Sequence, residues 1–411
     1  MHRSLAFALV ALPLVARAEP LGVGEVLRRV AERSPEQAVA AGGIDVARAD
    51  VLTARMLPNP TLLLTAAQSE PVFAASLAQR LPIFGQRGAE VRAAERGVEL
   101  ARAEAQLAVW RLRHDARIAY YNVARAEESL AIAQASEELA RRIAQMAAER
   151  FDAGAGTRLD RDQGALVDVR ALQEIADRRT MAAIARLELA RLLGAPPEEL
   201  GALADPLATI GATPPLEELL AQARARHPEL RALVAERDAA RARAIAARVE
   251  RRPVPTLELG IELLNESTCN PKSASTTPNC IGPHVGLSFD LPVLNLNGGP
   301  IARAEAEAQL AELKLRAASL RVEIGVRGAY QALSAAVTRA RFFEAEYLPK
   351  AISVERMARE GFAEGKNGLV QVIDAQRSVL EARLGLVETQ FAIQSARADL
   401  EEASGVALPA P

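Results

Sequence analysis

The sequence predicts a mainly α-helical fold with a small β part, in which a helix, a β-hairpin and a long α-hairpin occur twice. Three observations lead to this prediction. Aromatic residues make up only 3% of the 411 residues, and alanine, leucine, arginine and glutamate dominate, which suits long helices packed through narrow seams. No proline occurs between Pro82 and Pro196, so nothing there breaks a long helix. Landmark residues of the first half also recur in the second.

The internal repeat is carried by residue types that an alanine bias would not align. Pro35 recurs as Pro228, 193 positions later. FDAG at 151–154 recurs as FAEG at 362–365, after 211 positions. A nearly constant offset over such a distance indicates a duplication. After the N-terminal segment the chain is therefore divided into a first repeat (19–194), an inter-repeat linker (195–215) and a second repeat (216–411).

Each repeat is predicted to hold the same elements in the same order. These are a first helix (34–56; 216–251), two strands (61–68 and 72–81; 256–264 and 284–292), a very long helix (88–150; 300–362) and a second long helix (158–194; 369–404). At 1.5 Å per residue the helix 88–150 would be on the order of 95 Å long, so it must pack lengthwise. Pro349 has no proline counterpart in the first repeat and is predicted to kink the second very long helix.

Apolar residues on the very long helices follow the spacing of a coiled-coil seam. The members of this row are Leu310, Leu313, Ala317, Leu320 and Ile324 in the second repeat and Leu100, Ala103, Leu107 and Trp110 in the first. His114 stands where the first repeat matches Ile324. Either a packed polar residue or a ligand fits that place, and packing is the commoner role.

The N-terminus has the pattern of an export signal. A short basic start and the apolar run 5–16 precede Ala16-Arg17-Ala18, which predicts a signal peptide over 1–18. A single transmembrane helix is the alternative, but the run is shorter than the roughly 20 residues that a span needs. The remaining chain has no long apolar run, so it is expected to be soluble after export or to cross a membrane by strands.

Two cysteines, Cys269 and Cys280, flank a loop rich in proline, serine and threonine. After export they would meet an oxidising compartment, so one local disulfide is predicted. A metal pair is the weaker alternative, because the nearest histidine is His284 and the loop holds no carboxylate.

Apolar and polar residues alternate strictly in 256–263 and 284–291, as in strands with lipid on one side and water on the other. A half-buried sheet of a soluble protein is the alternative. Four strands cannot close a membrane barrel, which needs about eight or more, so chains are expected to pool their strands. Three chains would pool twelve, and the long helices would continue the barrel as a tube. The residues predicted to line its lumen are Glu258, Glu262, Ser288 and Asp290.

Nearly the whole sequence after residue 18 resembles the TolC-type outer-membrane efflux proteins. The combination of segments 80–95 and 285–307 is similar to the heavy-metal cation efflux branch of that family. The resemblance is carried by the duplication and by LPNPTL (57–62), RLPIFGQRGAEVRAAE (80–95), FDAGAGTRLD (151–160), RRPVPTLEL (251–259), VGLSFDLPVLNLNGGPIARAEAE (285–307) and GFAEGKNGLVQVIDAQ (361–376).

The resemblance implies a homotrimer in a Gram-negative bacterium, with a twelve-stranded β-barrel in outer-membrane lipid and an α-helical barrel in the periplasm. It implies a periplasmic adaptor (membrane fusion) protein and an inner-membrane pump, of the RND type for the metal branch. The expected function is a passive exit duct for heavy-metal cations. A duct for drugs and other organic solutes, or for type I secretion, is the alternative. A soluble periplasmic coiled-coil interaction protein is the alternative from another class.

The resemblance also places the two glycine turns at the periplasmic tips, where the family docks its adaptor and closes its entrance. The expected docking residues are Gly154, Gly156, Thr157, Gly365, Lys366, Asn367 and Gly368. The expected gate residues are Gln371, Asp374 and Asp160. Family members commonly carry two acidic residues at the positions of Gln371 and Asp374, so one carboxylate is missing here. A ring of Asp374 from three chains would attract cations; a helix cap is the alternative, and a Lys366–Asp160 tether is a further hypothesis.

Neither catalysis nor cofactor binding is predicted. The sequence has no glycine-rich phosphate loop after a strand and no nucleophile elbow, and its four histidines lie far apart. The formal net charge of −2 gives no reason to expect nucleic acid. The chain is therefore expected to be neither an enzyme nor the holder of a resident metal.

Overall fold

The computed structural model describes residues 20–67, 71–208, 211–270, 278–292 and 294–409, so the predicted signal peptide lies outside the described residues. The fold is mainly helical with one antiparallel sheet in the order β1-β2-β3-β4. Its elements are α1 (Val23–Arg33), α2 (Pro35–Arg55), β1 (Thr61–Ala66), β2 (Phe73–Arg80), α3 (Gln86–Asp152), α4 (Arg158–Leu193), α5 (Leu216–Arg226), α6 (Pro228–Glu250), β3 (Pro255–Asn265), α7 (Glu266–Cys269), β4 (Pro278–Phe289), α8 (Gly298–Phe342), α9 (Leu348–Ala363) and α10 (Leu369–Ser404).

The prediction of one helix over 216–251 was wrong, because the chain turns at His227 between α5 and α6. His227 has extended backbone angles (φ −56°, ψ 127°). The cause is Pro228, since a residue before proline avoids the α region and proline suits the first position of a new helix. Ser34 and Pro35 make the same corner between α1 and α2, and the sequence interpretation missed α1.

A glycine at the end of each repeat packs against these corner prolines. Gly194 (φ 63°) and Gly405 (φ 68°) end α4 and α10 in the left-handed region, where glycine is favoured. A Cβ atom would lie 3.0 Å from Pro35 Cδ at position 194 and 2.8 Å from Pro228 Cδ at position 405. The same packed joint therefore connects the end of α4 to the start of α2 and the end of α10 to the start of α6.

The very long helix differs between the repeats. In the first repeat α3 is continuous over 67 residues. In the second a π-helical turn, Phe343–Tyr347, separates α8 from α9 just before Pro349, where the kink was expected. The Phe343 ring fills a notch at Gly385 of α10, since a Cβ atom there would lie 2.5 Å from Phe343 Cε1.

The long helices pack side by side in one layer that continues the order of the strands. Near the sheet the order is α2, α3, α6, α8, and farther away it is α4, α3, α10, followed by α8 and α9. One edge of the chain is therefore formed by β1, α2 and α4, and the other by β4, α8 and α9. In the part of the chain that the structure describes, no helix has the length and apolar character needed to cross a membrane.

The apolar row predicted as a seam on α8 lies on the outside of the chain. Its leucines and isoleucine are 53–63% exposed. A second apolar row, on a different face of α8, is buried instead. Because α8 lies at an edge, one of its apolar rows packs against the described part of the chain and the other row is exposed there. The buried row is Ala311, Ala318, Val322, Val326, Leu333 and Ala340. The exposed row is Leu310, Leu313, Ala317, Leu320 and Ile324.

Candidate functional site

The two hairpin tips are built alike around a left-handed glycine. Gly154 has φ 73° and Gly365 has φ 76°. At each tip the amide N–H of the following residue donates back over the turn at 2.8 Å, Ala155 to the carbonyl of Arg150 and Lys366 to that of Gly361. This closure turns the chain within a few residues and starts a new helix. The predicted docking turns are therefore compact and project from the helical layer.

Two of the predicted gate residues lie at the third position of a helix and accept hydrogen bonds from the residue that caps that helix. The amide and hydroxyl of Thr157 donate to Asp160 Oδ2 at 3.1 and 2.7 Å, and the Asp160 amide donates back to Thr157 Oγ1. Hydrogen bonds from Thr157 lower the pKa of the Asp160 carboxyl. At the matching position, 211 residues on, Gln371 Oε1 accepts the N–H of Gly368 at 2.7 Å. A neutral amide can act as this acceptor, which gives a local reason why no acid is needed at position 371.

The proposed Lys366–Asp160 tether does not form in this chain, because Lys366 pairs with Glu364 and Asp160 is held by Thr157. Asp374 lies one turn into α10 and is exposed. It lines a groove between α4 and α10 that also contains Arg170, Glu174 and Arg377. Two guanidinium groups and a second carboxylate therefore share this groove with Asp374.

The tips of the two hairpins are joined within the chain. Arg150 Nη1 donates to the carbonyl oxygen of Phe362 at 2.7 Å, and its guanidinium lies 4.6 Å from the centre of the Phe362 ring. A small apolar cluster beneath this contact consists of Ile143, Ala147, Phe362, Leu369 and Val372. Both hairpins therefore contribute to one packed cluster at the tip.

The second candidate site is the polar face of the sheet. The register puts Ser76, Gly260 and His284 side by side, with Glu258 and Glu262 on the same face. Ser288 follows on this face, opposite Thr256. Asp290 lies beyond β4, which ends at Phe289, so it is at the rim of the sheet rather than within it.

The opposite face of the sheet is apolar. Many of its large side chains are exposed, with Val285 72% and Leu259 52% accessible. Its large apolar residues are Leu62, Leu64, Phe73, Leu77, Leu257, Leu259, Ile261, Leu263, Ile281, Val285, Leu287 and Phe289. The alternation read from 256–263 and 284–291 is thus present as two faces of opposite character.

A buried polar network between α3 and α10 was missed by the sequence interpretation. Arg117 Nη1 lies 2.7 Å from Glu401 Oε1, and both side chains are only 11% exposed. Burial raises the pKa of the Glu401 carboxyl and lowers that of the nearby Arg397 guanidinium. In the sequence these charged residues look like the many other charges on the surface of a long helix. Nothing in the sequence therefore indicates that they are buried.

His114, at the edge of this network, is a packed cation. Its Nε2 lies 2.9 Å from Asp399 Oδ1, and its Nδ1 lies 3.1 Å from Asp115 Oδ1. The hydrogen bond to Asp399 is the main cause that raises the pKa of His114 to about 9. The imidazole is therefore charged at neutral pH and links α3 to α10, which favours the packing role over the ligand role.

Cys269 and Cys280 are bonded to each other in the structure, with their Cα atoms 6.4 Å apart. The disulfide links the end of α7 to β4. Elsewhere among the described residues, no group of three or more histidine, cysteine, aspartate or glutamate side chains is arranged to hold a metal ion.

Comparison with known proteins agrees with this architecture. The model of the outer membrane efflux protein family matches residues 26–195 and 219–406. The cobalt-zinc-cadmium resistance protein CzcC of Cupriavidus metallidurans is 28% identical over 373 residues, covering 89% of this chain and 86% of CzcC. Protein CyaE of Bordetella pertussis is 31% identical over 317 residues, covering 76% of this chain and 66% of CyaE.

Solved structures share the fold. The outer-membrane channel OprN superposes with a TM-score of 0.76 at 20% identity, over 94% of this chain and 90% of that one. The family match covers both repeats and most of the chain. The chain belongs to the outer membrane efflux protein family.

Proposed function

We propose that the protein is the outer-membrane exit duct of a tripartite efflux system. It works as a homotrimer that passively conducts heavy-metal cations from a periplasmic adaptor and an inner-membrane pump to the exterior. The observation that carries the proposal is that the sheet and the helical layer end at the same two edges of the chain. Each edge has a strand whose outer side is unpaired among the described residues and a helix with exposed apolar residues.

The strand edges are complementary between copies. All neighbouring strands are antiparallel, so the first and fourth strands run in opposite directions. β4 of one copy can therefore pair with β1 of the next in the pattern already used within the chain. An open edge promotes pairing with another strand, and a closed barrel removes it. Three copies give twelve strands, within the size range of membrane barrels.

The helical edges support the same assembly. Exposed apolar rows lie on α4 at one edge and on α8 at the other, and contiguous surfaces of this kind mark interaction sites. Contact of one edge with the other is a head-to-tail interface, which forms a ring when the rotation closes. The rows are Leu166, Val169, Leu172, Met181, Ile184 and Leu187 on α4, and Leu310, Leu313, Leu320 and Ile324 on α8.

In such a ring the apolar face of the sheet contacts lipid and the polar face lines the lumen, with Glu258, Glu262 and Ser288 inside. The helical layer continues as a periplasmic tube, and the adaptor docks at the glycine turns 153–157 and 364–368. The likeness to CzcC supports cobalt, zinc or cadmium ions as the cargo. An exit duct for organic solutes or secreted protein is the alternative within the same architecture.

The assembly is tested by fractionating cells that express the full chain. The expected result is a trimer in the detergent-extracted outer membrane that forms conducting channels in planar bilayers. A soluble periplasmic monomer would contradict the proposal. Deletion of the gene is expected to raise cellular cobalt, zinc and cadmium; raised accumulation of organic solutes alone would favour the alternative cargo.

Replacing Asp374 by alanine is expected to weaken block of the channel by multivalent cations added from the periplasmic side. Three carboxylates leave the entrance, while Arg170 and Arg377 remain in the groove. The expected loss of blocking affinity is about tenfold, which corresponds to about 1.4 kcal/mol. Single-channel recordings over a range of hexaamminecobalt concentrations measure it.

The matched control is Glu364→Ala, which removes an exposed tip carboxylate paired with Lys366 outside that groove. Block should change little in this variant. Equal block in the wild type and in Asp374→Ala would contradict a gate at Asp374.

A further inference from the structure

His284 lies between two carboxylates on the polar face of the sheet. It stands opposite Gly260, which is between Glu258 and Glu262 on β3. The imidazole ring therefore has a carboxylate on either side of it. His284 Nδ1 lies 2.5 Å from Glu262 Oε1, and Nε2 lies 3.7 Å from Glu258 Oε1. The Nδ1 atom is therefore within hydrogen-bonding distance of a carboxylate oxygen, whereas the Nε2 atom is not.

The hydrogen bond to Glu262 orients the ring. A carboxylate can only accept, so Nδ1 carries the proton and donates it. In the neutral imidazole this leaves the lone pair on Nε2, which is directed to the Glu258 side. A metal-binding histidine commonly has this arrangement, with one nitrogen on the ion and the other donating to a carboxylate.

The gap between Nε2 and Glu258 has the size of a metal bridge rather than of a hydrogen bond. A hydrogen bond needs about 3.2 Å or less. An ion about 2.0–2.2 Å from a nitrogen and an oxygen ligand spans roughly 3.3–3.6 Å between them at a tetrahedral angle. The observed 3.7 Å needs a shift of a few tenths of an ångström to fit. Ser76 Oγ donates to Glu258 Oε1, so this carboxylate is also oriented.

A glycine keeps the gap open. Gly286 is directly opposite Glu258 in the register. A Cβ atom at Gly286 would lie 3.4 Å from His284 Nε2 and 3.6 Å from Glu258 Oε2, next to both would-be ligands. A larger side chain at position 286 would therefore occupy the space that an ion needs.

We propose that His284 Nε2 and the Glu258 carboxylate form a weak binding site for a borderline divalent cation such as Zn²⁺ or Co²⁺, with Glu262 as a positioning residue. Imidazole and carboxylate suit these ions, whereas Mg²⁺ takes oxygen ligands and keeps its water. Two protein ligands are fewer than the three or four of tight sites, so water completes the shell and the ion can leave. The inference rests on the proposed function in that the polar face lines the lumen.

Zinc alone is titrated into the purified full-length trimer, made with a tag that contains no histidine, and binding is followed by calorimetry. His284→Ala and Gly286→Val are each expected to weaken zinc binding at least tenfold, and Glu258→Gln to weaken it similarly. Magnesium should not compete. X-ray absorption at the zinc edge should show one imidazole nitrogen in the wild type and none in His284→Ala.

The matched control is His114→Ala, which removes the other carboxylate-bound histidine and should leave zinc binding unchanged. Each variant is first checked as a trimer on a seminative gel. Unchanged zinc binding in His284→Ala would overturn the site. If the channel exports metal but does not bind zinc at His284, the site is wrong and the proposed cargo stands. If zinc binds at His284 but the channel exports no metal, the site is supported and the proposed cargo is contradicted.

Discussion

Replacing Gly260 by alanine is expected to abolish the assembled protein in the outer membrane. A Cβ atom at this position would lie 2.5 Å from Ser76 Cβ and 2.6 Å from Ser76 Cα, and it would also overlap the carbonyl oxygen of Ala75. Backbone cannot move aside as a flexible side chain can, so β2 and β3 must separate. This pair joins the sheet segments of the two predicted repeats, so its loss leaves each unassembled chain with two separate hairpins, which are marginal alone.

Gly282→Ala is the matched control, because it adds the same methyl group to the same face of the neighbouring strand. There the Cβ atom would meet only Leu264 Cδ1, at 3.2 Å, the end of a flexible side chain. The yield of trimer from the outer-membrane fraction measures both variants. Assembly of Gly260→Ala at the level of Gly282→Ala would contradict the tight contact between β2 and β3.

Replacing Glu401 by alanine is expected to destabilise the protein by about 3–5 kcal/mol, the usual cost of breaking a buried ion pair. Arg117 and Arg397 would remain buried without a carboxylate between them. Glu401 Oε1 also accepts the N–H of Leu408 at 3.1 Å, so the C-terminal segment would lose its attachment. The midpoint of thermal unfolding, followed by circular dichroism of the detergent-solubilised protein, measures the loss.

Glu388→Ala provides the control on the same pair of helices. Glu388 pairs with Arg125 across α3 and α10, but the side chains are 50% and 33% exposed. Exposed pairs contribute roughly 0–1 kcal/mol. If the two alanine variants lower stability equally, burial does not distinguish the pairs, and the structural role given to the Arg117–Glu401 network is wrong.

The duplication and the types of elements could be predicted from the sequence because they depend on local patterns. The alternation of apolar and polar residues in 256–263 and 284–291 indicated strands with one apolar and one polar face. The absence of proline between Pro82 and Pro196 indicated the long helix α3. Proline also explained the interruption before Pro349. The wrong boundary in 216–251 has a local cause as well, since Pro228 was present in the sequence but was not taken as a helix start.

The tips show the limit of interpretation by resemblance. Asp160 and Gln371 were expected at the gate, and within this chain each accepts a backbone hydrogen bond at the start of its helix. A residue with such a local contact can also face an entrance, so the gate role of these two residues stays a prediction. The adaptor contact at the turns stays a prediction.

The sequence by itself determined the repeat, the long helices, the two faces of the strands and the cysteine pair, because each depends on residues that are near in the chain or periodic along it. The tertiary structure decided which apolar row of α8 is buried, which charges of α3 and α10 meet, and that His284 lies between Glu258 and Glu262. These features depend on which helix or strand becomes the neighbour. Periodicity indicates that a face exists, and packing alone determines what that face contacts.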